Sequence, residues 1–182
     1  NTTVRFVSVS EDVALYYRDL FAHRLGNTGA EHHYLMLVGE KVFSCVGFTT
    51  SKLFRLQTNY IFENYGFSVP SKKYPRNNRL LMMMITSEEM GRVIRNTTSN
   101  KNRFYSLEGM KTTCLSKWRS IKTHQGILER TSREQMPNGM YKIQASTKWH
   151  DRDFKKTLSL WLEEQRTGAK VLTSETFNNS LE

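Results

Sequence analysis

The sequence predicts a mixed α/β fold of the α+β kind, with a largely antiparallel central sheet and flanking helices. Three observations carry that expectation. Runs rich in β-branched and aromatic residues recur at strand length. Two pairs, Gly39-Glu40 and Asn138-Gly139, join such runs as hairpin turns do. Stretches with apolar residues at helical spacing interrupt the strand series instead of alternating with it one for one.

The elements follow in order. Residues 4–9, VRFVSV, alternate and read as a strand. Ser10 caps a helix whose first turn holds Glu11 and Asp12, acids that suit the positive end of the helix dipole. Val13, Tyr16, Tyr17, Leu20 and Phe21 share one face, which is expected to be buried, and Gly26 and Gly29 end the helix. Residues 33–48 form two strands about the Gly39-Glu40 turn. An aromatic strand over 59–69 stops at Pro70. A helix over 79–96, capped by Asn77 or Asn78, buries Leu80, Leu81, Met84, Ile85, Val93 and Ile94. After a loop at 97–103 come a strand at 109–116, a basic loop at 118–125 and a hairpin about Asn138-Gly139. A last amphipathic helix, 152–165, places Phe154, Leu158, Trp161 and Leu162 on one face.

A chain of 182 residues with 38% hydrophobic and 24% charged content fits one domain, here 1–168, followed by a polar tail at 169–182. No apolar run approaches the roughly eighteen residues of a membrane span, and residues 1–10 lack the pattern of a secretory leader. The expectation is a cytoplasmic protein without membrane contact. Cys45 and Cys114 make no disulfide framework and are expected as buried free thiols; no metal-ligand spacing is present. Three N-x-S/T triplets, at Asn1, Asn96 and Asn178, are what chance yields in an Asn-rich chain.

The charge is unevenly placed. Residues 1–68 hold six Lys/Arg against six Asp/Glu and residues 123–182 nine against eight, whereas residues 69–122 hold twelve against three. A concentrated basic stretch of this kind predicts a polyanionic partner, nucleic acid above all, with a merely solubilising face as the alternative.

Within that stretch, SKKYPRNNRLLMMMI (71–85) sets four cations at the door of the most apolar run in the chain. Amides at a helix start attract anions, so Tyr74, Arg76, Asn78 and Arg79 are the candidate anion- or donor-binding residues. No glycine-rich cradle accompanies them, which excludes a P-loop or dinucleotide fingerprint. In LSKWRSIKTHQG (115–126), cations interleave with a tryptophan, the composition of a nucleic-acid surface. Lys72, Lys73, Ser116, Lys117, Trp118, Arg119 and Lys122 are therefore the candidate DNA contacts. His124 within this loop, and Glu63 and Tyr65 on the aromatic strand, are the candidates for proton transfer. No nucleophile triad and no paired carboxylates are visible.

The segments YPRNNRLLMM (74–83), MKTTCLSKWRSIKTHQGILERTSREQMPNGMYKIQ (110–144) and TLSLWLEE (157–164) resemble the Mom-like DNA-modification proteins of phages and prophages, and most the branch labelled antirestriction adenine modification proteins. The landmarks fall on Tyr74, Pro75, Arg76 and Arg79, on Thr112 and Thr113, on Ser120, Lys122 and Gly126, and on Leu158 and Trp161; the likeness covers roughly residues 59–165. It implies a GNAT-related, acyltransferase-like fold and modification of the exocyclic amine of adenine in phage DNA, protecting it from restriction. Two departures stand out: Asn77-Asn78 replaces a Leu-Ser pair, and the loop at 120–126 is one residue longer. They leave the donor open, as an acyl or aminoacyl compound. Two rival readings remain: an acetyl-CoA-dependent N-acetyltransferase acting on a protein or small amine, and a non-enzymatic inhibitor that grips nucleic acid or protein with its basic stretch.

Overall fold

The computed structural model describes residues 2–22, 29–50, 59–98 and 107–168. Among the described residues seven strands form one sheet: β1 (Val4–Val9), β2 (His32–Val38), β3 (Lys41–Thr49), β4 (Tyr60–Ser68), β5 (Gly109–Ser116), β6 (Glu129–Gln135) and β7 (Tyr141–Lys148). Their order across the sheet is β1-β2-β3-β4-β5-β7-β6. Every neighbouring pair is antiparallel except β4 and β5. That parallel pair needs a long crossover, supplied by two helices, α2 (Asn77–Ile85) and α3 (Glu88–Thr98). Helix α1 (Glu11–Ala22) packs on β2, β3 and β4, and α4 (Phe154–Thr167) lies against α2 and β1.

The two hairpins form where the turn chemistry puts them. Gly39 takes φ +61° at the β2–β3 turn. Between β6 and β7 the Gly139 amide bonds to the carbonyl of Met136 and Gly139 takes φ +81°, a three-residue loop closed by a left-handed glycine and not the two-residue turn that Asn-Gly alone predicts.

The sequence-predicted helix over 79–96 is two helices. Thr86 Oγ1 bonds back to the carbonyls of Met82 and Met83, Ser87 Oγ to that of Met84, and Ser87 Oγ then accepts from the Met90 amide as the cap of α3. His150 fills the break, exchanging backbone bonds with Thr86 and Glu88. The start of α2 also differs. Arg76 is the capping position without a side-chain cap bond, and Asn77 lies inside the helix, its Nδ2 donating to the Val69 carbonyl.

Two helices present other faces than their periodicity suggests. Val13, Tyr16 and Leu20 of α1 are 40%, 64% and 59% exposed, while Ala14 and Arg18 are buried and Tyr17 and Phe21 are half-buried. The small Ala14 lets the helix close on the sheet, with its carbonyl 3.6 Å from Cys45 Sγ. On α4, Phe154, Thr157, Trp161 and Glu164 face inward, and Leu162 is exposed. That row leads to an ion pair with α2. The predicted stop at Gly26 and the 169–182 tail lie outside the described residues, as does most of the predicted loop at 97–103.

The main core lies between one face of the sheet and α2, α3 and α4, around Met36, Phe48, Ile61, Met83, Met110 and Trp161. A smaller cluster of Ala14, Leu35, Cys45 and Tyr65 lies under α1. Among the described residues no helix is long and apolar enough to cross a membrane.

Candidate active site in the cleft between β4 and β5

Strands β4 and β5 pair only from Tyr60–Gly109 to Glu63–Thr112. Both continue beyond, to Ser68 and Ser116, without pairing to each other. The cause is a bulge: against β3, Glu63 pairs with Phe48 and Tyr65 with Gly47, leaving Asn64 as the extra residue. A bulge bends its strand and raises its twist, so β4 peels away from β5 and a cleft opens at their ends.

A cavity of about 230 Å³ fills the cleft, lined among others by Glu63, Gly66, Asn78, Cys114 and His124. The Glu63 carboxylate accepts from Thr112 Oγ1, and burial raises its pKa above the ordinary carboxylate value despite that bond. Cys114 Sγ sits 3.7 Å from Thr112 Oγ1 and 3.9 Å from His124 Nε2. Burial, with Glu63 nearby, pushes the Cys114 thiol up to about 11, and burial holds His124 down to about 4. At neutral pH the thiol is therefore protonated and the imidazole neutral. His124 does not titrate near neutrality as the sequence reading supposed, and Glu63 is the cavity carboxyl whose pKa burial raises. Gly66 keeps the space open: a Cβ there would stand 3.2 Å from Glu63 Oε1 and 3.0 Å from Leu81.

Tyr65 is not in this cleft. The bulged residue shifts the alternation, so Tyr65 turns under α1, where its hydroxyl is 2.7 Å from His33 Nδ1 and near Cys45 Sγ. It is 5% exposed and its pKa is raised by burial, so proton transfer in the cleft is withdrawn for this residue.

Two further cavities, of about 320 and 250 Å³, adjoin the start of α2. Thr123 lines both of them and the cleft as well, so the three spaces meet along one loop. Arg76 lines both, joined by Lys122 in one and by Tyr74 and Asn78 in the other. The first turn of α2 holds no acid and no side-chain cap, which leaves its positive end open to an anion. Tyr74 itself is half-buried, its ring centroid 5.4 Å from that of Trp161, with Lys73 Nζ over the Tyr74 ring, 5.1 Å from its centroid.

Arg79 corrects the sequence reading most sharply. It is 1% exposed. Its Nε and NH2 nitrogens grip Glu164 of α4 at 2.6 and 2.7 Å, and its NH1 donates to the carbonyls of Gln125 at 2.7 Å and Thr123 at 3.4 Å. Each of its three nitrogens already bonds to protein, so although Arg79 also lines the 320 Å³ cavity, its charge is spent mainly on Glu164 and the loop carbonyls. Removing either member of such a buried pair costs about 3–5 kcal/mol, because the other charge stays behind unpaired.

The loop over 117–128 joins β5 to β6, with a single 3-10 turn at Lys122–His124. Ser116 Oγ accepts from the Trp118 amide, and Trp118 is 76% exposed between the exposed Lys117 and Arg119. Lys72 and Lys73 are exposed beside the start of α2. The sequence-predicted anion and DNA residues thus lie at the surface around the loop and the α2 start, apart from the buried Arg79. Sequence reasoning missed Cys114 as a cleft residue, Thr112 as the Glu63 partner, and Glu164. The last had a signal: it continues the spacing of Phe154, Thr157 and Trp161.

A seven-stranded mixed sheet with a parallel β4–β5 pair that splays beside a bulge is an acyltransferase-like architecture of the GNAT type. The phage GNAT-like domain family matches residues 1–166, and the chain belongs to that family. The membership makes it an acyltransferase-type transferase. No curated protein matches the chain.

Such folds imply a coenzyme A thioester as donor, and its diphosphate calls for a cradle of backbone amides. Segment 69–76 fits that poorly. Pro70 and Pro75 have no N–H, the Val69 amide is bonded to the Phe43 carbonyl, the Tyr74 amide to Ser71 Oγ, and no glycine is present. One anionic group fits at the α2 start, with Arg76 and Lys122, while the prolines and the bonded Val69 and Tyr74 amides leave fewer loop donors for a diphosphate.

Proposed function

We propose that this chain transfers an acyl group to an amine in the β4–β5 cleft, with Glu63 removing the amine proton. The observation that carries this reading is the Glu63 carboxyl itself, pushed up by burial and facing a cavity at the point where the two strands part. The amine nitrogen attacks the acyl carbonyl carbon and Glu63 takes its proton. The bond to the donor's leaving group then breaks, and that group departs with its electron pair. Beyond Glu63 the β4 edge facing β5 lacks strand partners, so its amides are available to hold the acyl oxygen.

The acceptor in this reading is a nucleobase, the exocyclic amine of adenine in DNA, and the setting a phage-infected bacterial cytoplasm. Support comes from the exposed Trp118 between two cations, from the excess of twelve basic over three acidic residues in 69–122, and from the Mom-like sequence motifs. Acetyl-CoA-dependent acetylation of a protein or small amine is the rival; the proline-bearing loop 69–76 speaks against its diphosphate.

Mass spectrometry of nucleosides from host DNA after expression tests both parts. A heavier deoxyadenosine, absent when Glu63→Gln is expressed, is the expected result, and its added mass identifies the group. Unmodified DNA together with saturable acetyl-CoA binding in a titration moves the assignment to the rival. Unmodified DNA with salt-sensitive DNA binding and no donor binding leaves a binding protein.

A further inference from the structure

We infer that Arg79 is a positioning residue: through its guanidinium, α2 and α4 hold the 121–125 loop closed over the β4–β5 cleft. The two carbonyls it binds, of Thr123 and Gln125, flank His124 on either side. His124 is the residue that the loop sends into the cleft, 3.9 Å from Cys114, and Ile121 and Thr123 line the same cavity. Other bonds shape the turn itself: the His124 amide donates to the Ile121 carbonyl, and the Ile127 and Leu128 amides donate to the His124 carbonyl. Gly126, at φ +71°, then redirects the chain toward β6.

The arrangement joins distant parts of the sequence. Glu164 holds the guanidinium from α4, 85 residues away in the chain, and Trp161, one turn earlier, donates to the Arg76 carbonyl at 3.4 Å. The shape of the cleft wall therefore depends on the C-terminal helix, which contributes no residue to the cavity lining. That the cleft is where chemistry occurs rests on the reading above; the anchoring of the loop does not.

The two cysteines provide the test, because they report on opposite faces of the sheet. Cys114 lies behind His124 in the cleft, and Cys45 is fully buried under α1. N-ethylmaleimide labelling of the native protein, followed cysteine by cysteine with peptide mass spectrometry, reads both. With Arg79→Lys and with Glu164→Gln, Cys114 is expected to label at least about tenfold faster while Cys45 keeps its rate. A double variant, Arg79→Met with Glu164→Leu, replaces the buried pair by apolar groups of similar size and keeps the fold intact. It too is expected to expose Cys114, now at near-normal melting temperature, with the cleft reaction losing kcat more than KM changes. Equal acceleration of both cysteines makes the pair a global stabiliser only and overturns the inference. So does slow Cys114 labelling in the stable double variant. If the labelling pattern holds but no acyl transfer is found in the wild type, the anchoring stands and the functional reading falls.

Discussion

Glu63 and Tyr65 lie two residues apart on β4, yet they belong to different clusters on opposite faces of the sheet. Each sits among polar partners: Glu63 with Thr112, Cys114 and His124, Tyr65 with His33 and Cys45. Both clusters are shifted by burial. What separates them is room. The Glu63 cluster lines an open cavity, whereas α1 closes down on the Tyr65 cluster until Ala14 touches Cys45. Perturbed titration marks low-dielectric surroundings, and only the cavity turns such surroundings into a place where a substrate can be handled.

The largest expected contrast is therefore between Glu63→Gln and Tyr65→Phe. The first is expected to lower the acyl-transfer rate about a hundred- to ten-thousand-fold. It also removes the acid limb from the pH–rate profile, a limb that lies above the ordinary carboxylate range. The second is expected to leave the rate near wild type and to cost about 1 kcal/mol of stability, measured by urea unfolding. A carboxyl whose pKa is raised in the fold opposes folding as pH rises above its unfolded value, so Glu63→Gln is expected to be more stable than wild type near neutrality. A Tyr65→Phe protein without transfer activity would reverse the assignment of the two clusters.

A smaller effect separates the clusters by pH. His124 has a folded pKa near 4 against 6.5 for an ordinary histidine. The unfolded chain takes up a proton in that window that the folded chain refuses, so stability is full above pH 6.5 and declines as pH falls toward 4. The loss is at most about 3 kcal/mol, less where water reaches the partly exposed ring. His33, also lowered by burial, adds a loss of the same sign on the other face. Replacing His124 by Gln should flatten its share of the decline in denaturant midpoints across this window; an unchanged decline would assign the acid sensitivity to the His33 side.

The smallest change concerns the acceptor. Trp118→Ala should weaken binding to single-stranded DNA by about 1–3 kcal/mol with no shift in melting temperature, since the side chain is mostly in water. Unchanged affinity in a fluorescence anisotropy titration would remove the stacking platform from the proposal.

Much of the fold was legible because it is written locally. The strands, both hairpin turns, the acidic start of α1 and the Phe154–Trp161 row of α4 are visible in residue type and spacing. The break at Thr86-Ser87 had a local sign as well, a Thr-Ser pair followed by Glu88 and Glu89, but the apolar run on either side masked it. The candidate site was half legible. Glu63, His124, Arg76 and Asn78 do meet around the cleft and the α2 start. Tyr65 failed because a one-residue bulge, invisible in a strand pattern, reverses the face of everything after it. Arg79 failed because a basic residue at a helix start looks the same whether its partner is a ligand or a glutamate 85 residues on.

The sequence by itself determined the order of elements, the turn positions and the concentration of positive charge, all of which depend on neighbours a few residues apart. Only the tertiary structure decided which charges are free and which are spent. Arg79 and Arg76 differ by three residues and by nothing in their chemistry. Both line the 320 Å³ cavity, but Arg79 is buried and bound by Glu164 of α4 and the 123 and 125 carbonyls, whereas Arg76 is exposed and lines a second cavity as well. The physical reason is that a charge can be buried only where enough partners converge to replace water, and those partners come from helices and loops that meet only once the chain is folded.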